Sequence, residues 1–498
     1  MSLEELARRR GYFFIANEAY GGVSGFYTYG PNGAAMKQNI EDIWRDRFII
    51  EEGNVEIDSP TVTPKSVFEA SGHLEVFDDM LIECPGCETS HRADHLVEAA
   101  TDIDDAEAYT TGKIAQLIKE RGISCPQCGT NLAGESVEEF NLMFKTEIGP
   151  GSDHTGFLRP ETAQGMFVEF PRLKEYAREQ LPFGVAQIGR GYRNEISPRN
   201  ALLRAREFTM AELEFFVDPE SDHPDLEEIK GVELPLYSAP AQNSDSRGIE
   251  RYSVEETIEN EIIAEEWIAY FLGMIHSWYD RIGVDMDRFR FRQHLSGELS
   301  HYASECWDAE AEVDGDWVEL AGIASRTNYD LLKHDKHSDE SYTVFKQYDE
   351  PKTVERASVD PDMEFLGPKF GSRAEKIADE LETLANRDRS AFKGESVTVE
   401  IDGDTFSVPV DKTGFTVEQV KESGRHITPH VIEPAFGIGR AVYTVMAHQY
   451  MTDTVDGEER DVLRLPPSVA PNTAAIFPLM TKEGLPDIAR DIEDDLNQ

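Results

Sequence analysis

The chain has 498 residues, 40% of them apolar, so it is too long for one ordinary hydrophobic core and apolar enough for a large domain with insertions or a second domain. No run of about 18 apolar residues occurs, and the opening MSLEELARRRGYFF has neither a signal-peptide core nor a cleavage site, which excludes a membrane span and points to the cytosol. Acidic residues number 96 against 48 basic ones, a formal charge of −48 that excludes a general nucleic-acid binder. The acid is spread along folded-looking segments, which favours adaptation to dense salt, where screening acts within a few ångströms, over an acidic disordered tail. Any RNA contact then falls to local basic clusters such as Arg190, Arg193, Arg199, Arg204 and Arg206.

In chain order, YGGVSGFYTYGPNGAA reads as a Gly-rich turn leading to a helix in NIEDIWRDRFIIEEG and a strand in VEIDSPTVTP. CPGC and CPQC follow, placing Cys84, Cys87, Cys125 and Cys128 in two knuckles around an acidic, helix-like stretch. Four thiolates at that spacing favour a structural zinc ribbon over bare thiols or a redox pair, with His91 and His95 as substitute ligands. RPETAQGMFVEF puts Pro160 at an expected first helical position, and FGVAQIGRGYRNE with REFTMAELEFFV predicts two long strands joined by a loop. Residues 253–279 predict one helix, capped by Ser253 and Glu256, with Ile258, Ile262, Trp267, Phe271, Met274 and Trp278 as its core stripe. Cys306 reads as a small buried hydrophobe. A polar insertion covers 335–428, with a helix at AEKIADELETLAN and a hairpin turning on Asp402 and Gly403. The chain returns at HVIEPAFGIGRAVYTVM, and after the linker RLPPSVAPN a final strand and helix are expected.

Three pieces carry chemistry. Arg193 and Glu195 lie two apart, so in a strand they share a face. On the returning strand Arg204, Arg206, Phe208, Met210 and Glu212 share one parity, a face suited to a nucleotide: guanidinium for phosphate, an aromatic plate for a base, carboxylate for an amino group. A sheet surface with ordinary ion pairs would show the same pattern. The third piece, GIGRAVYTVM, sets Arg440 at a helix start after two glycines, where the helix N-terminus also favours phosphate.

Together these resemble the three motifs of class II aminoacyl-tRNA synthetases: IEDIWRDRF through DSPTVTP with Pro60, YRNE through RAREFTMAE, and EPAFGIGR. Within that class the phrases GFYTYGPNGAAMKQNIEDIWR, RADH, FNLMFKT, RPETAQG, RNEISPR, LLRAREFTMAE, HYASECWDAE and VIEPAFGIGR resemble glycyl-tRNA synthetases of the archaeal and eukaryotic homodimeric type over nearly the whole chain. The resemblance implies an α+β fold, an antiparallel sheet flanked by helices. Its implied division is 1–83 with motif 1, 84–150 the zinc-ribbon-like insertion, 151–334 with motif 2, 335–428 a second insertion, 429–455 motif 3, and 456–498 a linker with the start of an anticodon-binding domain. It also implies glycine activation with ATP and magnesium and transfer to tRNA(Gly) by a cytoplasmic homodimer.

Carried over residue by residue, Arg193 would hold the α-phosphate, Glu195 the adenine amino group, Phe208 the adenine ring, and Arg204 and Arg440 the terminal phosphate. Glu319 in WVELAGIASR would lie near ATP and magnesium. Asn194, Leu203, Ala205, Arg206, Glu207, Leu320, Gly437, Ile438 and Gly439 complete the implied ATP set. The implied glycine set is Arg92, Glu161, Glu212 and Glu433 with Phe208, Thr209, Met210, Ala211, Pro434, Ala435, Phe436 and Gly437. A pairing of Glu161 with Arg159 at a helix start is the alternative role for that carboxylate. Three departures stand out: Ala435 replaces a usual Ser, Ser325 replaces a common acidic residue, and the anticodon-binding domain is expected to be incomplete. A sister ligase for another small amino acid and a non-catalytic accessory subunit are the rival readings.

Overall fold

A nine-stranded sheet organises the structure, a computed structural model that describes residues 1–496 apart from 102, 104, 105, 107, 108, 152, 153, 199, 245–247, 301 and 402. Its strands are β1 (Val55–Glu56), β2 (Phe183–Tyr192), β3 (Glu207–Val217), β4 (Glu233–Tyr237), β5 (Glu250–Ser253), β6 (Phe289–Gln293), β7 (Glu305–Val313), β8 (Asp316–Thr327) and β9 (His430–Gly437). Across the sheet they run β5-β4-β6-β7-β8-β9-β3-β2-β1, antiparallel except where β1 meets β2 and β4 meets β6.

Strand alternation decides which face is core. Along β3, Ala211, Leu213, Phe215 and Val217 enter the main apolar cluster, while Phe208, Met210 and Glu212 alternate to the other side. On β9, Phe436 packs against Trp44, Phe48 and Trp278. Helices α1 (Pro31–Arg45), α2 (Ala163–Tyr176), α3 (Val254–Glu259), α4 (Glu266–Ile282), α5 (Tyr329–His337) and α6 (Ile438–Gln449) flank the sheet. α1, α4 and α6 supply the core with Met36, Ile40, Trp44, Phe271, Met274, Trp278, Val442 and Met446. Cutting the fully buried Leu213 to Ala would cost about 2–5 kcal/mol, from lost transfer energy and the cavity left behind.

Four expectations are corrected. The helix over 253–279 is two: the Ser253–Glu256 capping box forms, but α3 stops at Asn260, Glu261 takes φ 54°, and α4 begins only at Glu266. The break is held by Glu305, whose carboxylate accepts the Ala264 and Glu265 N–H groups at 3.2 and 3.1 Å just ahead of α4. Pro160 precedes the helix, since α2 starts at Ala163 after Thr162. β2 ends at Tyr192, so Arg193 and Glu195 belong to the loop beyond it. NTAAIFPLM forms no strand: Phe477 and Leu479 are exposed, and Pro478 lacks the N–H a ladder needs. The final helix is present at Leu485–Leu496.

Residues Thr343–Ile427 form a separate compact unit. Strands Val344–Ser358 and Thr416–Ile427 pair antiparallel. Between them, helix Ala374–Arg387 places Ile377, Leu381 and Leu384 at helical spacing, and these join Val397, Val399 and Val408 of a hairpin in a core of their own. That hairpin pairs Ile401 with Asp404, and Gly403 takes φ +83°, the left-handed turn geometry glycine allows; Asp402 lies outside the described residues. Among the described residues no helix is long and apolar enough to cross a membrane.

Candidate active site

The polar face of the sheet holds a cavity of about 210 Å³ over β3, β8 and β9. Close packing shapes it. Phe208 lies against Gly191 on β2, where an added Cβ would come within 2.7 Å of the ring, and at Gly189 a Cβ would strike the Arg159 guanidinium at 2.2 Å. Arg159 bonds the Arg190 carbonyl at 2.9 Å and Ser59 O at 2.8 Å, so it does not take the Glu161 carboxylate as the alternative reading supposed.

One end is acidic. Glu161, Glu212 and Glu433 line it with Tyr302, Ala435 and Arg326. Glu212 accepts the Thr162 N–H at 2.6 Å and also the Thr162 hydroxyl. Glu161 meets His73 at 3.3 Å. Arg326, 2% exposed, donates to Glu433 at 2.8 Å and to both Asp330 oxygens at 2.8 and 2.9 Å, with the Tyr302 ring 4.0 Å from its guanidinium carbon. Burial, reinforced by Glu161 and Glu433, pushes the Glu212 carboxyl up to about 7. Burial also raises Glu433, against the pull of Arg326. At Glu161 burial again pushes upward, but His73, Arg326 and Arg193 outweigh it and hold that carboxyl below the usual range. The carboxyls of Glu161, Glu212, Glu433 and Asp330 here outnumber the Arg326 and Arg193 guanidiniums and the His73 imidazole, so the hollow suits a small cation.

The other end is basic. The Arg193 guanidinium sits 5.4 Å from both the Phe77 and Phe208 ring centres, and its Nε donates to the Pro160 carbonyl at 3.3 Å. Arg204 donates to Glu195 at 2.7 Å. Arg440, in the first turn of α6, bonds the Leu203 carbonyl at 3.1 Å and reaches the Glu319 carboxylate at 3.1 Å, whose acidity it increases. Three guanidiniums and an aromatic plate can receive a triphosphate and a base. A wider cleft of about 750 Å³ adjoins this end and shares Arg193, Glu195, Arg204, Glu319 and Arg440.

The remaining candidates sort by position. Leu203, Ala205, Thr209, Met210, Leu320, Gly437 and Gly439 line the cavity. Ala211, Phe436 and Ile438 turn to the apolar core instead. Arg206 is a scaffold: it bonds the Glu195 carbonyl through Nε at 3.0 Å and Nη2 at 2.7 Å and the Ser24 carbonyl at 2.9 Å, tying the loop between β2 and β3. Glu207 pairs with Arg190 at 3.7 Å; Asn194 and Pro434 do not line the cavity. Arg92 lies in the adjoining cleft, paired with Asp79 at 3.0 Å and with Asp94. Ser325 is buried without lining the cavity, and Arg199 lies outside the described residues. Sequence reasoning missed Arg326, Tyr302 and Gly322. It also missed Glu214, fully buried on β3 with neither carboxyl oxygen hydrogen-bonded, whose pKa burial and Glu433 raise well above normal.

The four knuckle cysteines converge. Their sulfurs lie within 4.8 Å of one another, with Cys84–Cys128 at 3.5 Å and Cys87–Cys125 at 3.7 Å. The two turns match: Glu88 N–H donates to the Cys84 carbonyl and Gly129 N–H to the Cys125 carbonyl, each at 2.8 Å and each residue with positive φ. His91 Nε2 lies 3.2 Å from the Cys125 sulfur, beside the set.

A flanked antiparallel sheet carrying an arginine-rich nucleotide end and a carboxylate pocket in one cavity is the core of a class II aminoacyl-tRNA synthetase, and the family model described as tRNA synthetase class II core domain (G, H, P, S and T) matches residues 144–449. The glycine–tRNA ligase of Methanothrix thermoacetophila is 48% identical over 99% of this chain and 84% of its own length. Those of Methanocaldococcus jannaschii and Methanothermobacter thermautotrophicus are 42% and 43% identical, each over 99% of this chain and 86% of the relative. The chain belongs to the glycine–tRNA ligase family. A solved prolyl-tRNA synthetase of Giardia lamblia in complex with prolyl-adenylate overlaps at a TM-score of 0.47 and 11% identity, over 99% of this chain and 59% of that one, too distant to add to the assignment.

Proposed function

We infer that this chain joins glycine to tRNA through glycyl-adenylate, with ATP across Phe208 and the guanidiniums of Arg193, Arg204 and Arg440, and the glycine ammonium among Glu161, Glu212 and Glu433. The observation that carries this reading is the presence of both charge patterns at opposite ends of one cavity. A glycine carboxylate oxygen attacks the α-phosphorus; the bond from that phosphorus to the bridging oxygen breaks, and pyrophosphate leaves. The 3′-hydroxyl of the tRNA then attacks the glycyl carbonyl and AMP departs. No protein nucleophile is needed. Rate comes from holding the reactants in line and from Arg193 stabilising charge as it grows on the phosphate oxygens. Magnesium, which this class uses with ATP, would offset phosphate charge near Glu319. Arg326 is a positioning residue, fixing Glu433 while Tyr302 covers it.

The knuckle sulfurs support a structural zinc ion: a tetrahedron of zinc–sulfur bonds of about 2.3 Å has edges of about 3.8 Å, close to the 3.5 and 3.7 Å found. By resemblance we also read α1 and the strand after it as part of a homodimer interface, and the −48 charge as adaptation to a salt-rich cytoplasm. Glu161→Gln tests the glycine site. Removing one member of a buried charge cluster costs roughly 2 kcal/mol or more, so the glycine KM should rise roughly 30-fold while ATP binding holds. An unchanged glycine KM would refute the placement.

A further inference from the structure

One ligating cluster stands outside the groups used above. Cys306 and Asp308 lie two apart on β7 and share a face. His294 follows β6, its backbone N–H donating to the Cys306 carbonyl at 3.0 Å. His294 Nε2 lies 2.8 Å from Asp308 Oδ2, and one ligand atom from each of the three side chains lies within 4.8 Å of the others. Across the β7–β8 ladder Asp308 faces Gly322, a wall residue of the cavity, and Asp308 Oδ1 would stand 3.7 Å from a Cβ at that glycine. The cluster therefore sits on the cavity's side of the sheet, one strand over. Cys306, expected to be a small buried hydrophobe, is a partly buried residue whose thiol lies beside an imidazole and a carboxylate.

We propose that Cys306, His294 and Asp308 form a binding site for a thiophilic divalent cation of the zinc class, distinct from the four-cysteine set and adjacent to the cavity wall. One sulfur, one imidazole nitrogen and one carboxylate oxygen suit zinc or cobalt and disfavour magnesium and calcium, which take all-oxygen shells. Three protein ligands leave a tetrahedral ion one open position for solvent. The ion would take the place of the proton between His294 and Asp308 and convert the thiol to a thiolate, so binding releases protons.

The test uses the full chain with its four-cysteine set loaded with zinc. The parent, Cys306→Ser and Asp308→Asn are titrated with Co²⁺, metal is counted after gel filtration, and thiolate-to-cobalt charge-transfer absorption is recorded. The parent should hold one equivalent more than Cys306→Ser and show a band which that variant lacks. Asp308→Asn, which keeps the thiol, should bind more weakly by at least the roughly tenfold that loss of an outer-shell partner costs. Cobalt exchanging into the four-cysteine set contributes equally to all three proteins. Equal metal content and equal spectra in the parent and Cys306→Ser would overturn the proposal, whatever the outcome of glycine-activation assays.

Discussion

Replacing Arg193 by Ala should separate catalysis from folding. Among the described residues its guanidinium makes one long hydrogen bond, 3.3 Å to the Pro160 carbonyl, and faces two rings at 5.4 Å. Contacts of these kinds contribute about 0.5–1 kcal/mol each, so the fold should lose only about 1.5–3 kcal/mol. During adenylation the same group would meet phosphate oxygens as their charge grows. Removing such a preorganised donor costs about 10²- to 10³-fold in rate, roughly 2.7–4 kcal/mol. Because that interaction strengthens in the transition state, kcat should fall more than the KM for ATP rises. Arg193→Lys restores the charge without the planar fork and should recover part of the rate. Glycine-dependent pyrophosphate exchange and thermal unfolding, both in molar KCl, give the two readouts. Exchange within tenfold of the parent, or a variant that does not fold, would rule out this role for Arg193.

Glu212, raised by burial to about 7, is neutral below that pH, so kcat/KM for glycine should climb with pH to about 7 and then level off. Its stability contribution runs the other way: it is full below the unfolded value of about 4.3 and is lost as pH rises through about 7. Glu212→Gln should flatten both profiles, and an unaltered glycine pH profile in that variant would count against the assignment. One zinc ion per chain should survive exhaustive dialysis and be lost in Cys84→Ser; a stoichiometry near zero in protein purified without chelator would contradict the zinc reading. With a net charge of −48, the melting temperature should rise between about 0.1 and 2 M KCl, and an unchanged value would contradict the adaptation to salt.

The long strands of the sheet and the helix start at Arg440 were legible because alternation and a Gly-to-helix junction are local signals. What depends on distant partners was not. Arg326 is fixed by Asp330 four residues on and by Glu433 more than a hundred residues away, and nothing in its own segment marks a buried guanidinium. Arg206 shares the parity of Phe208 and Met210, yet the chain is not a strand before Glu207, and the side chain turns back to tie the Glu195 carbonyl. Motif matching carried Phe436 and Ala211 into the glycine set because it is blind to strand face; both lie in the core. The break between α3 and α4 was hidden because Ile258 and Ile262 continue the helical stripe, while the carboxylate that holds the N–H groups of the intervening segment comes from Glu305 on β7.

Whether the chain activates glycine is decided by ATP–pyrophosphate exchange, run in molar KCl against a panel of small amino acids. Glycine should support exchange, and alanine, serine and proline should fall well below it, as expected if the end lined by Glu161, Glu212, Glu433 and Tyr302 takes the ammonium group of an amino acid without a side chain. Exchange with alanine or serine at a rate comparable to glycine, or none with any amino acid from folded, zinc-loaded protein, would contradict the account.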